Sequence, residues 1–483
     1  MTFTTLTYIL FLALVFAVYW AVQRRIAQNV LLLVISYLFY ASWDYRFCLV
    51  LFATSLIDFF VGQSLSEAAT QGKRRLLLTM SLAWNLGVLG FFKYSNFFIE
   101  SFHQFGERVG WNVNLPLLRI VLPVGISFYT FKSLSYTLDI YRRQLKPTKK
   151  IVEYFAFVSF FPQLLAGPID RASTLLPQFF DERKFKYEQV VDGCRQILWG
   201  FFKKMVLADN LSPLVDHFYA NPQNAPGPHL IIATACFAFQ IYCDFSAYSD
   251  IAIGSAKLIG FKSMRNFAYP YFAESMSDFW RRWHISLTSW FRDYVFFSLG
   301  GVRGTSLRRA VNVVITFLLS GFWHGASWNF LIWGGLNGLV ITPDLFRKRQ
   351  RKRQRDSAGL GSSLVSLSRI VRTFAIACLI WIFFRAPTLS VAGSIYKKIF
   401  SDLLNLRAYL QPGAVFAYAP IGYLLPVFLV FFVVCEWVER TREHPLNLDR
   451  LPRFLRWSAY SILILVTLRY GFHVSGDFVY FRF

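Results

Sequence analysis

Apolar runs about as long as a helical membrane span recur along most of this sequence, punctuated by short clusters of Lys and Arg. The first five lie at about 5–22, 28–43, 46–62, 76–98 and 117–138, each near or below the roughly 20 residues that a helix needs to cross hydrocarbon. So many runs cannot all be hidden in one water-soluble core. Of 483 residues, 55% are hydrophobic, 19% aromatic and only 16% charged, values that soluble domains of this length rarely combine. Because lipid leaves backbone polar groups no partner but one another, the apolar runs must be helices. The fold class expected is therefore an all-α polytopic membrane protein.

The charges between the runs give an orientation. Arg24 and Arg25, then Lys73, Arg74 and Arg75, then Arg142, Arg143, Lys146, Lys149 and Lys150 fall on one side if every run crosses. Positive loops mark the cytoplasmic side, so the amino terminus is expected in the periplasm. The first run has no basic stretch before it and reads as a retained span rather than a cleaved signal. A formal net charge of +24 raises nucleic acid as a partner, but the basic residues sit in membrane-type loops with no nucleic-acid motif around them, and the bilayer is the partner expected instead. The six cysteines show no CxxC, only Cys236 and Cys243 lie close together, and all read as small core hydrophobes with no metal site.

Polar residues inside the runs divide into two kinds. Asp58, Asn85, Ser127 and Asp139 are isolated and suit hydrogen bonds between helices, while Pro123 and Gly125 break the fifth run. The stretch 151–171 carries Pro162, Gly167 and Pro168 and is expected to stop at or inside the membrane boundary. The next, 179–210, with Lys203 and Lys204 among aromatics, suits the interface. The apolar helix expected at 229–260 holds Gln240, Asp244, Ser246, Ser249 and Asp250, too many polar groups to face lipid. Asp244 and Asp250 fall near one face about two turns apart, compatible with a carboxylate acid/base pair or with a structural polar seam.

The densest mixture of Trp, Arg and His lies between Asp278 and Asn337. Trp280, Trp283 and Trp290 alternate with Arg281, Arg282, His284 and Arg292 in a pattern that predicts an amphipathic interfacial helix, aromatic side in lipid and basic side in water. There the arginines either hold phosphate groups or anchor the helix. His324 stands elsewhere: the apolar run Val311–Trp323 is only about 13 residues, roughly 20 Å as a helix against ~30 Å of hydrocarbon. With basic residues both before it (Arg303, Arg308, Arg309) and after it (the tract 347–355), two half-length helices that enter and return would place His324 at a buried tip. A single tilted span is the alternative. Further spans are expected at about 368–387, 415–438 and 454–472, with Arg385 at the end of the first. The chain reads as one integral-membrane domain, with N-terminal helices (1–150), a catalytic core (151–345), a basic cytoplasmic linker (346–366) and C-terminal helices (367–483).

The blocks DFWRRWHISLTSWFRDYVFFSLGG from Asp278 and FWHGASWNFLIWGGLNG from Phe322 resemble the membrane-bound O-acyltransferases, in particular their alginate O-acetyltransferase branch. YASWDYRF from Tyr40, LPVGISFYTFKSLSYTLDIYR from Leu122, FFPQLLAGPI from Phe160, YCDFSAYSDIAIG from Tyr242, NFAYPY from Asn266 and WIFFRA from Trp381 extend the resemblance, in order, along most of the chain. It implies a bundle of about eleven transmembrane helices with re-entrant and interfacial elements around a central cavity and tunnel. It also implies that His324 is catalytic, that His284 is the second histidine of the site, and that the protein resides in a bacterial inner membrane. Arg281, Arg282, Trp280, Trp323, Asn329, Asp244 and Asp250 are the substrate-binding candidates. The donor expected is acetyl-CoA or another acyl thioester, with no tightly bound cofactor and no metal; the partner expected is a periplasmic protein of the SGNH-hydrolase type, delivering acetyl groups to a polysaccharide such as alginate, another exopolysaccharide or peptidoglycan. No GxSxG elbow accompanies the histidine, which favours general-base over serine chemistry. Transfer of D-alanine to teichoic acid, and a non-catalytic transporter or polysaccharide-export subunit, are the other functions weighed.

Overall fold

The structure is a computed structural model and describes residues 3–111, 116–346, 360–404, 409 and 412–472. Among the described residues there is no β-strand. In chain order the helices are α1 (Leu6–Ala21), α2 (Arg25–Asp44), α3 (Phe47–Glu67), α4 (Gln71–Arg108), α5 (Ile126–Tyr141), α6 (Ile151–Ser159), α7 (Phe161–Leu164), α8 (Ala172–Leu175), α9 (Tyr187–Phe201), α10 (Asp209–Ala220), α11 (Gly227–Leu258), α12 (Met276–Arg282), α13 (Ile285–Trp290), α14 (Ser306–His324), α15 (Trp328–Phe346), α16 (Leu360–Arg385), α17 (Leu389–Ser401), α18 (Leu424–Val438) and α19 (Arg453–Tyr470). Five of the described helices, α2, α3, α4, α11 and most of α16, are long and apolar enough to cross a membrane. The basic tract 347–355 lies outside the described residues.

The chain forms two compact units, one of residues 1–194 with 251–264 and the other of residues 195–250 with 265–483. In the first, α3 packs on α4 and α5, and α2 on α6. Its interior is built around a carboxylate. Asp58 on α3 accepts hydrogen bonds from Ser81 (2.6 Å) and Asn85 (2.8 Å) of α4 and from Ser133 (2.5 Å) of α5, as interhelical bonding of the isolated polar residues requires. The fifth apolar run departs from expectation at its start: residues 116–123 are not helical and α5 begins only at Ile126. Gly125 before it is left-handed (φ 77°), and a side chain there would strike the Leu164 carbonyl, so the turn that starts α5 needs glycine.

The second unit holds the Trp- and His-rich stretch. Its central feature is the antiparallel hairpin of α14 and α15, in which Gly334 meets Phe317, Gly338 meets Val314 and Gly321 meets Phe330, with no room for a Cβ at any of the three glycines. Small residues at these positions let the two backbones touch, the usual means of joining helices in lipid. The hairpin expected from the sequence is present, but its arms are not half-length. Each has 19 residues, about 28 Å of rise. Thr305 caps α14 by accepting from Arg308 N–H at 3.3 Å, so the helix starts early and takes Arg308 and Arg309 into its first turns, beyond the apolar run that the sequence counts.

A candidate active site around two histidines

The stretch expected to be one interfacial helix is broken at its middle. α12 ends at Arg282, α13 starts at Ile285, and between them His284 takes the left-handed conformation (φ 43°, ψ 54°), which for a residue with a Cβ costs about 1–2 kcal/mol. The neighbouring segment holds it there. Ala268 N–H donates to the Arg282 carbonyl (2.9 Å) and Ile285 N–H to the Asn266 carbonyl (2.8 Å), bracketing the turn. The break turns the aromatics inward: Trp280, Trp283 and Trp290 are buried in protein rather than laid in lipid. His284 itself is 0% exposed, with Phe245 edge-on at 4.6 Å and Phe267 nearly parallel at 6.4 Å.

His324 is the last residue of α14, 3% exposed, at the closed end of the hairpin. Trp333 of α15 meets it edge-on at 4.9 Å and Phe384 of α16 at 5.4 Å, while Trp381 stacks behind Trp333 at 5.7 Å. Trp323 joins the two histidines, its ring lying 6.1 Å from that of His284 and 4.9 Å from that of His324. Asn329, read from the sequence as substrate-binding, donates its amide to the Ala386 carbonyl at 2.6 Å and so ties the hairpin tip to the end of α16.

A cavity of about 250 Å³ opens beside α14, lined by Trp280, Arg281, Thr288 and Arg292 on one side and by Thr316, Phe317 and Ser320 on the other. Ser320 lies one helical turn before His324. The arginines of the block separate by their commitments. Arg282 pairs with Asp278 at 3.0 Å and Arg292 with Asp293 at 2.7 Å, whereas Arg281 lines the cavity with no ion pair among the described residues. Trp280 closes the cavity toward the histidine. Its ring is 5.6 Å from Trp333, and its indole N–H donates to Asn337 at 3.1 Å.

Asp244 and Asp250 do not face each other as an acid/base pair. Asp244 binds Lys204 at 2.7 Å, and Asp250 binds Lys203 at 2.6 Å together with Gln196 at 2.8 Å. Both lysines come from a π-helical stretch, Phe202–Ala208, where the widened turn sends successive side chains into the interior. The sequence, read as an interfacial segment, placed these lysines near headgroups; the structure buries both. The site also draws in Asn266, Trp333, Phe384 and Asn337, which sequence reasoning did not single out as site residues. All four fall inside quoted blocks, Asn266 in NFAYPY, Phe384 in WIFFRA, and Trp333 and Asn337 in FWHGASWNFLIWGGLNG.

A histidine at the tip of a glycine-packed hairpin, boxed by aromatics and one helical turn beyond an arginine-bearing cavity, is an arrangement suited to acyl transfer. The model of the membrane-bound O-acyltransferase family matches residues 141–384, half of the chain and both histidine blocks. The chain belongs to the membrane-bound O-acyltransferase family. It is 39% identical to a probable alginate O-acetylase of Azotobacter vinelandii over 81% of this chain and 76% of that protein. A probable alginate O-acetylase of Pseudomonas putida is 33% identical over 98% of each chain, so the relationship is not confined to the site. A peptidoglycan O-acetyltransferase of Helicobacter pylori is 32% identical over 76% of this chain and 72% of that protein. The protein is thus an O-acyltransferase with several membrane-crossing helices, and its family membership agrees with the all-helical architecture.

Proposed function

We propose that this acyltransferase moves an acetyl group from a cytoplasmic acyl thioester, such as acetyl-CoA, toward an extracytoplasmic polysaccharide, with His324 as the base. The supporting observation is the run from Arg281 through the cavity to Ser320, one turn short of His324. Guanidinium is suited to a donor's phosphates and the apolar wall to its extended arm. An acceptor hydroxyl loses its proton to His324 while its oxygen attacks the thioester carbonyl; the C–S bond then breaks, and the proton passes to the leaving thiolate. Imidazole can take and return that proton near neutral pH.

Relatives named for alginate and for peptidoglycan acetylation favour a periplasmic polymer as the final acceptor, reached through a secreted partner of the SGNH-hydrolase type. The test is twofold. Protein in lipid nanodiscs should consume labelled acetyl-CoA in the presence of acceptor, and His324→Ala, folded and monodisperse, should not. Mass analysis of surface polysaccharide and peptidoglycan from cells with and without the protein should show O-acetyl groups lost. A folded His324→Ala protein with full turnover rejects the assignment.

A further inference from the structure

We propose that Asn266 is a positioning residue that fixes the tautomer of His284, holding the hydrogen of this buried ring on Nδ1 and leaving Nε2 as its acceptor nitrogen. The inference rests on the acyl-transfer reading above and assigns a role within it.

The orientation of the Asn266 amide follows from its partners rather than from its own electron count. The backbone N–H of Ser286 can only donate, and it meets the Asn266 side chain at 3.2 Å, so the atom there is the oxygen. The Ser286 hydroxyl donates to the same oxygen at 2.9 Å, and the Asn266 NH₂ group is used on Ser249 of α11 at 3.0 Å. The same oxygen lies 3.1 Å from His284 Nδ1, and the Ser286 hydroxyl, whose one hydrogen goes to that oxygen over the shorter distance, lies 3.4 Å from Nδ1 and can only accept from it. An oxygen cannot donate, so Nδ1 must carry the hydrogen. A neutral imidazole has one N–H, and Nε2 is therefore the acceptor. The backbone carbonyl of Asn266 binds Ile285 N–H at 2.8 Å, so one residue holds both the left-handed backbone at His284 and the proton on its ring. Charged groups on the surrounding elements are committed elsewhere: Asp244 to Lys204, Asp250 to Lys203 and Arg282 to Asp278.

The diagnostic variant is Asn266→Asp, which keeps the accepting oxygen and the size of the side chain but adds a negative charge against Nδ1. A neighbouring carboxylate favours imidazolium, and protonation removes the Nε2 lone pair. In nanodiscs with nitrogen-15-labelled histidine, the parent should show His284 as the neutral tautomer protonated on Nδ1, and in Asn266→Asp the pH at which that ring becomes doubly protonated should rise by at least one unit. The His284 signal is assigned by its loss in His284→Gln, so the reading does not depend on turnover. A parent whose His284 carries its hydrogen on Nε2, or a monodisperse Asn266→Asp protein in which the titration of that ring is unmoved, overturns the proposal. Failure of the underlying acyl-transfer reading looks different: the parent protein itself would then show no His324-dependent turnover.

Discussion

Trp280 hands its indole N–H to Asn337 at 3.1 Å, and this one bond locks the ring that separates the arginine-lined cavity from the aromatic box of His324. The bond joins α12 to α15, so the position of the ring is set by the hairpin itself. On the acyl path proposed above, Trp280 would limit how bulky the transferred group can be.

Replacing Trp280 with Ala should therefore widen acyl selectivity. A hydrophobic pocket discriminates one methylene by about 1–3 kcal/mol, so the ratio of butyryl to acetyl turnover should rise at least about tenfold. Trp280→Phe keeps most of the bulk and should change this ratio much less. Competition between labelled acetyl and butyryl thioesters reads the ratio directly; an unchanged ratio in an active Trp280→Ala enzyme would remove Trp280 from the acyl path.

The three arginines should respond unequally. Arg281 lines the cavity and makes no ion pair among the described residues, while Arg282 is bound to Asp278 beside it. A hydrogen bond to a charged group contributes about 1.5–3 kcal/mol, so Arg281→Ala should raise KM for the donor by tenfold or more at nearly constant kcat. Arg282→Ala should raise it only a few-fold. Steady-state kinetics with the thioester donor decides, and equal effects of the two substitutions would contradict the separation.

What could be read from the sequence and what could not follow the same physical line. Apolar length and loop charge are local properties, so α1 to α3 lie within a few residues of their expected positions, and α11 and α19 likewise. Glycines and flanking charges made the His324 hairpin visible too. The length of its arms was hidden because a cap at Thr305 admits two arginines to α14, which hydropathy counts as loop. The block around His284 was misread for a deeper reason. Its Trp and Arg spacing fits a surface helix, but backbone pairing with the preceding segment 266–268, which no local periodicity announces, brackets a break in that helix, and the aromatics are buried. Likewise nothing in the spacing of Lys203 and Lys204 announces a π-helical turn, so their pairing with Asp250 and Asp244 is legible only in three dimensions.

That buried charge network yields a stability prediction. Lys203→Met leaves the half-buried Asp250 with Gln196 but without its cation; breaking a fully buried pair from one side costs about 3–5 kcal/mol, and this partly exposed one should cost less. The variant should lose several degrees of melting temperature in detergent, and Lys203→Met/Asp250→Leu, which removes both charges, should recover most of the loss. Equal destabilisation by the single and double variants would mean that the pair is not the source.

The hairpin should be intolerant of bulk at its seam. A Cβ at Gly334 strikes the Phe317 carbonyl, so Gly334→Val must push α14 and α15 apart, at a cost of about 1–3 kcal/mol or more from overpacking alone. Gly393 on α17 has open space around it, and Gly393→Ala should be silent. Because His324 and its partner Trp333 lie on opposite arms, separation of the helices should also lower kcat in whatever Gly334→Val protein folds. Thermal melts together with turnover per folded molecule test this, and a Gly334→Val protein with parental melting and kcat would show that the seam is not under such constraint.

The final prediction concerns which side of the membrane each end of the hairpin faces. Gly338 packs on Val314, so the start of α14 and the end of α15 lie at the same end of the hairpin. Arg303, Arg308 and Arg309 flank the first and the tract 347–355 follows the second, and positive charge so placed belongs in the cytoplasm. Arms rising about 28 Å then carry His324 across most of a ~30 Å hydrocarbon layer, where an acceptor arriving from the periplasm can meet a donor that has entered from the other face. In a background lacking the native cysteines, Ser306→Cys and Ser363→Cys, both exposed positions, should react with an impermeant thiol reagent only after the cytoplasmic side is opened. Labelling of either from the periplasm of intact cells would reverse or unfold the hairpin's orientation, and with it the two-sided access on which transfer across the membrane depends.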